Sequence, residues 1–554
     1  MRSLRQTTYP QVDPTARDLM HRGVVTVGEL LTIAEGLREL RKRKARVLAV
    51  VGRRSTGAVT IEILRRAAEL GLKQAPISDV IWWGIPALAA RTGEVTVRRA
   101  LMAGAPLLFV REGRSLIGCI EKLPELGHRG STLLGPRLDA RCAPSLASFL
   151  RHAGLLAESK GIGLFAVGGL VRDLLLDRPV LDVDLAVEGD ALFFARLLAE
   201  RENGRLTLHE QFRTASLEGV TSGRLDVAET RRETYPRPGA LPSVSRATIE
   251  EDLARRDFTV NAMAIHLNPG SFGLLLDPRG GWRDLTHRVI RVLHPLSFIE
   301  DPTRVFRALR YAVRLDFGVE QTTLRLLRSA LGRAPYPALS GQRLLGELEL
   351  AASEPDPALL VTRLGRLGLF RLVVPGYRFA SIIVTRLGEI QRLMQWAQSS
   401  RLSFNWLELI LLALIERLNQ TMAREFLDRL SIKGEPAQRL LRCIRDSDDL
   451  LASDLASCSA SELVRRLDPL PLTCLEWLWV CAPRNVREQV EWFLLEGRLS
   501  RPLLNGDDLQ ALGVSPGPRL GDFLSRLRSA RLERTLSTRE EEEALVKKWL
   551  AEMA

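Results

Sequence analysis

The 554-residue chain contains no run of 18 uncharged apolar residues, and its N-terminus, Met1-Arg2-Ser3-Leu4-Arg5-Gln6, has no apolar h-region. A membrane-spanning helix needs roughly 20 apolar residues and a signal peptide an apolar core of about 7–15, so a soluble, cytoplasmic chain is expected. Six cysteines (119, 142, 443, 458, 474, 481) form no CxxC pair and have no histidine at zinc spacing. They are expected to be reduced core residues. No Gly-x-x-x-x-Gly-Lys-Ser/Thr occurs, which excludes a P-loop. Lysine is scarce beside arginine, yet the net charge is +13. That surplus favours a polyanionic partner, and arginine suits bidentate phosphate contacts, although GC-rich coding produces the same bias. Apolar residues make up 46% of the chain, enough for several cores, and three to five domains of about 100–200 residues fit this length.

The most informative stretch runs Leu164-Phe165-Ala166-Val167-Gly168-Gly169-Leu170-Val171-Arg172-Asp173, followed thirteen residues after Gly169 by Asp182-Val183-Asp184. An apolar run of strand length enters a Gly-Gly turn, whose missing side chains let backbone N–H groups approach a phosphate. A helical segment with Arg172 in its first turn follows. On the next apolar run, alternation puts Asp182 and Asp184 on one face and points Val183 into the core. Two adjacent hard oxygen ligands are what a Mg²⁺ ion bridging to a triphosphate requires. Either element alone is common; their order and spacing make the combination specific.

Along the chain, the first 125 residues repeat at an offset of 61. Asp18-Leu19-Met20 with Gly23-Val24 recurs as Asp79-Val80-Ile81 with Gly84-Ile85, and Gly57 recurs as Gly118. Such self-similarity means two copies of one α/β unit. It resembles a CBS-domain pair, which implies a pseudo-twofold module, adenosine-nucleotide binding and a homo-oligomer formed through the pair. Thr60 fits that family's ligand pattern, whereas Ile63, Glu121 and Pro124 depart from it, so structural and ligand-sensing roles both stand. Pro and Gly from 124 to 146 read as a linker. The next segment alternates strand and helix patterns. From about 291, Leu-rich segments of period 3.6, such as Leu324 to Leu331 and Leu407 to Leu418, predict helices only. The acidic run Glu540 to Glu543 reads as a solvated face.

Three further motifs follow. Arg255-Arg256-Asp257-Phe258-Thr259-Val260-Asn261-Ala262 offers polar groups for ribose and triphosphate. Asp277-Pro278-Arg279-Gly280-Gly281-Trp282-Arg283-Asp284-Leu285 reads as a structural coupler. Glu300-Asp301-Pro302-Thr303-Arg304-Val305-Phe306-Arg307-Ala308-Leu309-Arg310 predicts a helix capped by Glu300 or Asp301, with arginines at i, i+3 and i+6. The plainer alternative for that helix is an amphipathic element with a basic outer face.

Together these motifs resemble the class II tRNA nucleotidyltransferase family, which includes CCA-adding enzymes, A-adding enzymes and poly(A) polymerases. The likeness runs from about 162 to the C-terminus, including Ser340-Gly341-Gln342-Arg343 with Glu347 and the tail Gly506-Asp507-Asp508-Leu509. It implies a multidomain α/β plus all-α fold: a CBS pair (10–125), a linker (126–146), a polymerase-β-like nucleotidyltransferase head with a mixed sheet (147–290), a helical neck (291–350), and a helical body and tail that bind RNA (351–554). It also implies roles. Asp182 and Asp184 bind Mg²⁺ and carry catalysis. Gly168, Gly169, Arg172 and Asp173 hold the triphosphate, and Arg255, Arg256, Asp257 and Asn261 hold ribose and phosphate. Asp301 and Arg304, with Arg307 nearby, present a Watson–Crick-like edge to the incoming base. Asp226 is either a third acidic neighbour or an ordinary strand aspartate.

The family's partners are the 3′ end and acceptor/T-arm of tRNA, with ATP, or CTP and ATP, as nucleotide. The polar loop at 230–246 occupies the position of a loop needed for terminal A addition, which argues against a CC-only enzyme. The fused CBS pair resembles the A-adding branch, in which a DHH-type phosphoesterase often comes first; none precedes residue 10 here. The expected activity is addition of the 3′-terminal A to tRNA ending in CC. Full CCA addition and poly(A) synthesis are the alternatives within the family, and a non-catalytic CBS-gated RNA-binding protein is the alternative outside it. The CBS pair contributes no motif residue and is expected to be dispensable for the chemical step.

Overall fold

The computed structural model describes residues 14–553 apart from 54, 103, 122–131, 181 and 221–223. The chain divides into two compact units, Met1–Arg343 and Leu344–Ala554. This boundary falls inside the stretch expected as the neck.

The internal repeat folds as two copies of one α/β unit. In the first, strand Val24–Gly28 pairs in parallel with Val47–Val51 across helix Ile33–Lys42, and Thr56–Thr60 returns antiparallel. Ala87–Ala89, helix Glu94–Met102, Leu108–Glu112 and Ser115–Ile120 repeat that order. The crossover helices begin 61 residues apart, as do the central strands. The repeated glycines have one physical cause. A Cβ on Gly57 would lie 2.9 Å from the carbonyl of Trp82, and one on Gly118 2.7 Å from that of His21. Glycine is what admits a neighbouring backbone this closely, and His21 and Trp82 are themselves one repeat apart. Val47, Ala49 and Ala58 of the first copy pack with Leu107, Phe109 and Cys119 of the second in one buried cluster, so the two halves share a core. Pro124 and linker residues 126–131 lie outside the described residues. Helices Gly135–Arg141 and Pro144–Ser159 follow.

A seven-stranded mixed sheet then forms the head. Its order is Arg205–His209, Thr214–Glu218, Leu225–Glu229, Val183–Glu188, Gly163–Val167, Ala264–His266 and Leu275–Leu276. Only Leu225–Glu229 against Val183–Glu188 is parallel; the other neighbours are antiparallel. Alternate residues Phe165 and Val167 bury one face with Ala186, Ile249, Leu253 and Ala264, as the period of two requires. The segment 230–246, expected as a loop, is a hairpin of Arg231–Thr234 and Ser243–Arg246. Helices Arg304–Leu315 and Gln321–Leu331 complete this unit; between them, strand Gly318–Val319 pairs in parallel with Val289–Ile290, which corrects the helices-only expectation after 291.

The second unit is helical, with no strand among its described residues. Its most apolar helix, Trp406–Ile415, buries every residue from Leu409 to Ile415, which explains why its sequence lacks a polar face. Two expectations are corrected here. Cys443 and Cys474 are joined in a disulfide rather than reduced, because helices Glu435–Ala452 and Leu472–Cys481 pack side by side across a sequence gap that hides the pair. Glu542 is not part of a solvated face: it is 0% exposed and accepts from the amides of Leu503 and Leu504 and from Arg531.

Candidate active site

Strand Gly163–Val167 ends at Gly168, whose φ of 65° and ψ of −123° start helix Gly169–Leu175. That positive φ is the backbone state glycine adopts at least cost. A Cβ on Gly168 would lie 3.3 Å from Asp184 Oδ2 and 3.3 Å from Arg256 Nη1, so the turn, the carboxylate and the guanidinium meet at one point. Asp182 is exposed and Asp184 half-buried. Among the described residues, no group donates a hydrogen bond to either carboxylate. Burial pushes the Asp184 carboxyl up, and Asp226 and Asp182 push it further, with Arg256 opposing. Asp226 is level with Asp184 on the neighbouring strand, but its Oδ1 accepts from Ser216 Oγ (2.6 Å) and Arg224 Nε (3.0 Å). Asp226 is therefore an acidic neighbour with its own partners. Among the described residues, no group of three or more His, Cys, Asp or Glu side chains makes a closed metal cage. Two carboxylates that accept no hydrogen bond among the described residues, beside a third negative charge, fit a hard divalent cation whose remaining ligands come from elsewhere.

Arg172, 7% exposed, is bidentate to Asp173 (both 2.9 Å) and donates to Asn261 Oδ1 at 2.9 Å. Asn261 Nδ2 donates to Asp257 Oδ1 at 3.1 Å. Asp257 Oδ2 accepts from Arg307 Nε and Nη2 at 2.8 and 2.6 Å. The Tyr311 ring lies 5.5 Å from the Arg172 guanidinium and 5.7 Å from that of Arg307. Three sequence motifs thus share one polar network. Burial alone would raise the Asp257 carboxyl, but Arg307 and the Asn261 amide hold it below the ordinary carboxylate range.

Arg255 and Arg256 are both held by Asp252, a residue of helix Ile249–Arg255 that the sequence reading missed. Arg255 donates to Asp252 Oδ1 at 2.7 Å and Arg256 to Oδ2 at 2.9 Å. Burial opposes the charge on Asp252, and the two arginines, Arg256 first, overcome it and lower its pKa. Arg255 also donates to Glu233 Oε1 at 2.7 Å, so hairpin 231–246 is anchored to this helix.

On the last motif, Asp301 Oδ1 accepts from the amide and hydroxyl of Thr303 at 3.0 and 2.6 Å and from Arg343 Nη2 at 2.7 Å. The helix begins at Arg304, after Thr303. Arg304 and Arg310 are buried, which rules out a basic outer face. Arg304 donates to Ser297 Oγ at 2.7 Å, to the Arg255 carbonyl at 2.9 Å and to Tyr235 Oη at 3.3 Å. Tyr235, Glu233 and Arg343 were also missed as site residues; Asp252, three and four positions before the Arg pair, carried the one legible signal. The expected coupler is one: Asp277 accepts from the amides of Gly281 and Trp282, and Asp284 from Thr259 Oγ1 and Arg291.

Residues 164–291 match the poly(A) polymerase head-domain family. An A-adding tRNA nucleotidyltransferase of Geobacter sulfurreducens is 31% identical, over 95% of this chain and 64% of its own length. The enzyme of the same description from Halalkalibacterium halodurans is 33% identical, over 71% of this chain and 90% of its own. The CCA-adding enzyme of Thermotoga maritima, solved in complex with tRNA, superposes with a TM-score of 0.63 at 30% identity, over 76% of this chain and 99% of its own. The chain thus spans slightly less than two thirds of the Geobacter relative and nearly all of the other two. With the head, its motifs and their order matched together, the chain belongs to the tRNA nucleotidyltransferase and poly(A) polymerase family of enzymes.

Proposed function

We propose that the chain adds the 3′-terminal A to tRNA ending in CC, with ATP as donor. The 3′-hydroxyl oxygen attacks the α-phosphorus, the bond to the bridging oxygen breaks, and pyrophosphate leaves. Asp182 and Asp184 would hold Mg²⁺, which supplies charge neutralisation at the triphosphate. Their carboxylates also orient the attacking hydroxyl. Amides of the Gly168-Gly169 turn, with Arg172, Asp173 and the nearby Arg256 guanidinium, would hold the triphosphate. Asp257 and Asn261 align Arg172 and Arg307, and Arg255 positions Arg304 through its carbonyl. Asp301 and Arg304 read the adenine: a carboxylate accepts from the exocyclic amine and a guanidinium donates to a ring nitrogen.

The observation that carries A addition is the hairpin 231–246, whose buried Tyr235 reaches Arg304. It occupies the loop position associated with terminal A addition and touches the base-reading residue itself. The relatives named as A-adding support the same reading. The likeness to a CCA-adding enzyme keeps full CCA addition as the second reading. In this proposal the N-terminal repeat is a CBS pair and the helical region after 320 holds tRNA through its arginines. Product length tests the reading. ATP offered with a tRNA ending in CC is expected to give one added A, and with unstructured RNA almost none. Long A tails on both would assign poly(A) synthesis.

A further inference from the structure

Arg66 projects from helix Ile61–Glu69 of the N-terminal repeat, whose Ile61, Leu64 and Ala67 are buried. It leaves its own module and donates from Nε to Glu300 Oε1 at 2.8 Å and from Nη2 to the carbonyl of Tyr235 at 2.6 Å. These acceptors flank the base-reading pair. Glu300 directly precedes Asp301, and Tyr235 places its hydroxyl 3.3 Å from Arg304 Nη2. The Glu300 carbonyl accepts from the Gly239 amide at 3.0 Å, and Arg343 links the Gly239 carbonyl (3.0 Å) to Asp301 (2.7 Å). One guanidinium thus pins both the hairpin and the segment entering the selector helix.

The module has a second anchor, an ion pair between Asp79 and Arg333. Asp18, one repeat before Asp79, turns instead to its own Thr15, amide and hydroxyl. The two copies have therefore diverged where the second meets the head. The Glu300 side chain is nearly buried, and its other basic neighbour is His294, 3.5 Å away. Burial, with Arg304, Arg279 and Arg66 nearby, lowers the His294 pKa to about 4, so beside Arg66 this ring is neutral at pH 7. A carboxylate left without its guanidinium partner here would shift position, and Asp301 is its immediate neighbour.

We propose that Arg66 is a positioning residue for nucleotide choice, tying the N-terminal module to the two segments that carry Asp301 and Arg304. This rests on the reading of those two residues as the base-selecting pair. The test uses the full chain and initial rates of ATP and CTP addition to a tRNA ending in CC. In Arg66→Met, KM for ATP is expected to rise about tenfold and the ATP-over-CTP preference to narrow about tenfold, with kcat at saturation within about threefold. Arg66→Lys keeps the charge but not the two-pronged donor and is expected to recover part of the KM. Arg66→Gln provides the same reading if the methionine variant does not fold. Asp79→Asn loosens the other anchor and is expected to leave the preference within about twofold. An Arg66→Met preference within twofold of wild type overturns the proposal. So does an Asp79→Asn narrowing equal to that of Arg66→Met, which assigns the effect to docking in general. A wild-type chain that adds no nucleotide to any tRNA end overturns the functional reading itself, and this proposal with it.

Discussion

Asp257 binds Arg307 through both Nε and Nη2 while its other oxygen takes the Asn261 amide. It thereby joins the RRDFTVN segment to helix Arg304–Leu315. Replacing it with asparagine removes the negative charge that Arg307 meets here, in a site where Asp257 is almost fully buried. A loss of about 3 kcal/mol in chemical denaturation at pH 7 is expected. Because the folded-state pKa is lowered, the wild-type advantage is fully present above the ordinary carboxylate pKa of about 4. It disappears as pH falls through the lower folded value. A wild-type advantage over Asp257→Asn that is unchanged well below pH 4 would contradict this.

Asp182→Asn and Asp184→Asn should each abolish nucleotide addition while leaving tRNA binding intact. A lost metal ligand removes several kcal/mol of transition-state stabilisation, on the order of 10³-fold or more in rate. Single-turnover rates and filter binding check the two halves separately. Activity within tenfold of wild type in either variant would refute the assigned pair.

Arg304→Ala should slow the reaction and blur the choice between ATP and CTP, since its donors would otherwise be unmatched by a wrong base at about 1–3 kcal/mol each. Tyr235→Phe removes only the hydroxyl bonded to Arg304 and Glu233. A few-fold rise in KM for ATP is expected from a lost bond of about 1 kcal/mol. Competition between the two nucleotides in one reaction reads both variants, and unchanged selectivity in Arg304→Ala would remove it from the selector.

Glu542→Ala should destabilise the C-terminal helices by about 3 kcal/mol, because two backbone amides and Arg531 lose a buried acceptor together. Glu540→Ala, on the exposed part of the same run, should cost under about 0.5 kcal/mol. Equal effects would mean the run behaves as one solvated face.

Much of the candidate site's local geometry was legible because its signals are local. The positive φ at Gly168 favours glycine, Asp184 lies on strand Val183–Glu188 with Asp182 just before it, and the 61-residue offset returns as paired glycines facing paired carbonyls. What stayed hidden depends on how the elements meet. Asp252 looks like any residue in an acidic first turn until both arginines after it turn back to it. Tyr235 and Glu233 gained their place only when 230–246 closed as a hairpin, and Arg66 lies more than 160 residues from either acceptor. Four consecutive glutamates cannot reveal which one faces inward, and the 31-residue gap between Cys443 and Cys474 matches no short motif.

The most direct test of A addition offers each nucleotide separately to tRNAs lacking CCA, lacking CA and lacking only A. Efficient ATP incorporation is predicted on the tRNA lacking only A, one residue per molecule, with CTP ignored on all three. Efficient CTP incorporation on the tRNA lacking all three residues would contradict the account and assign a full CCA-adding enzyme.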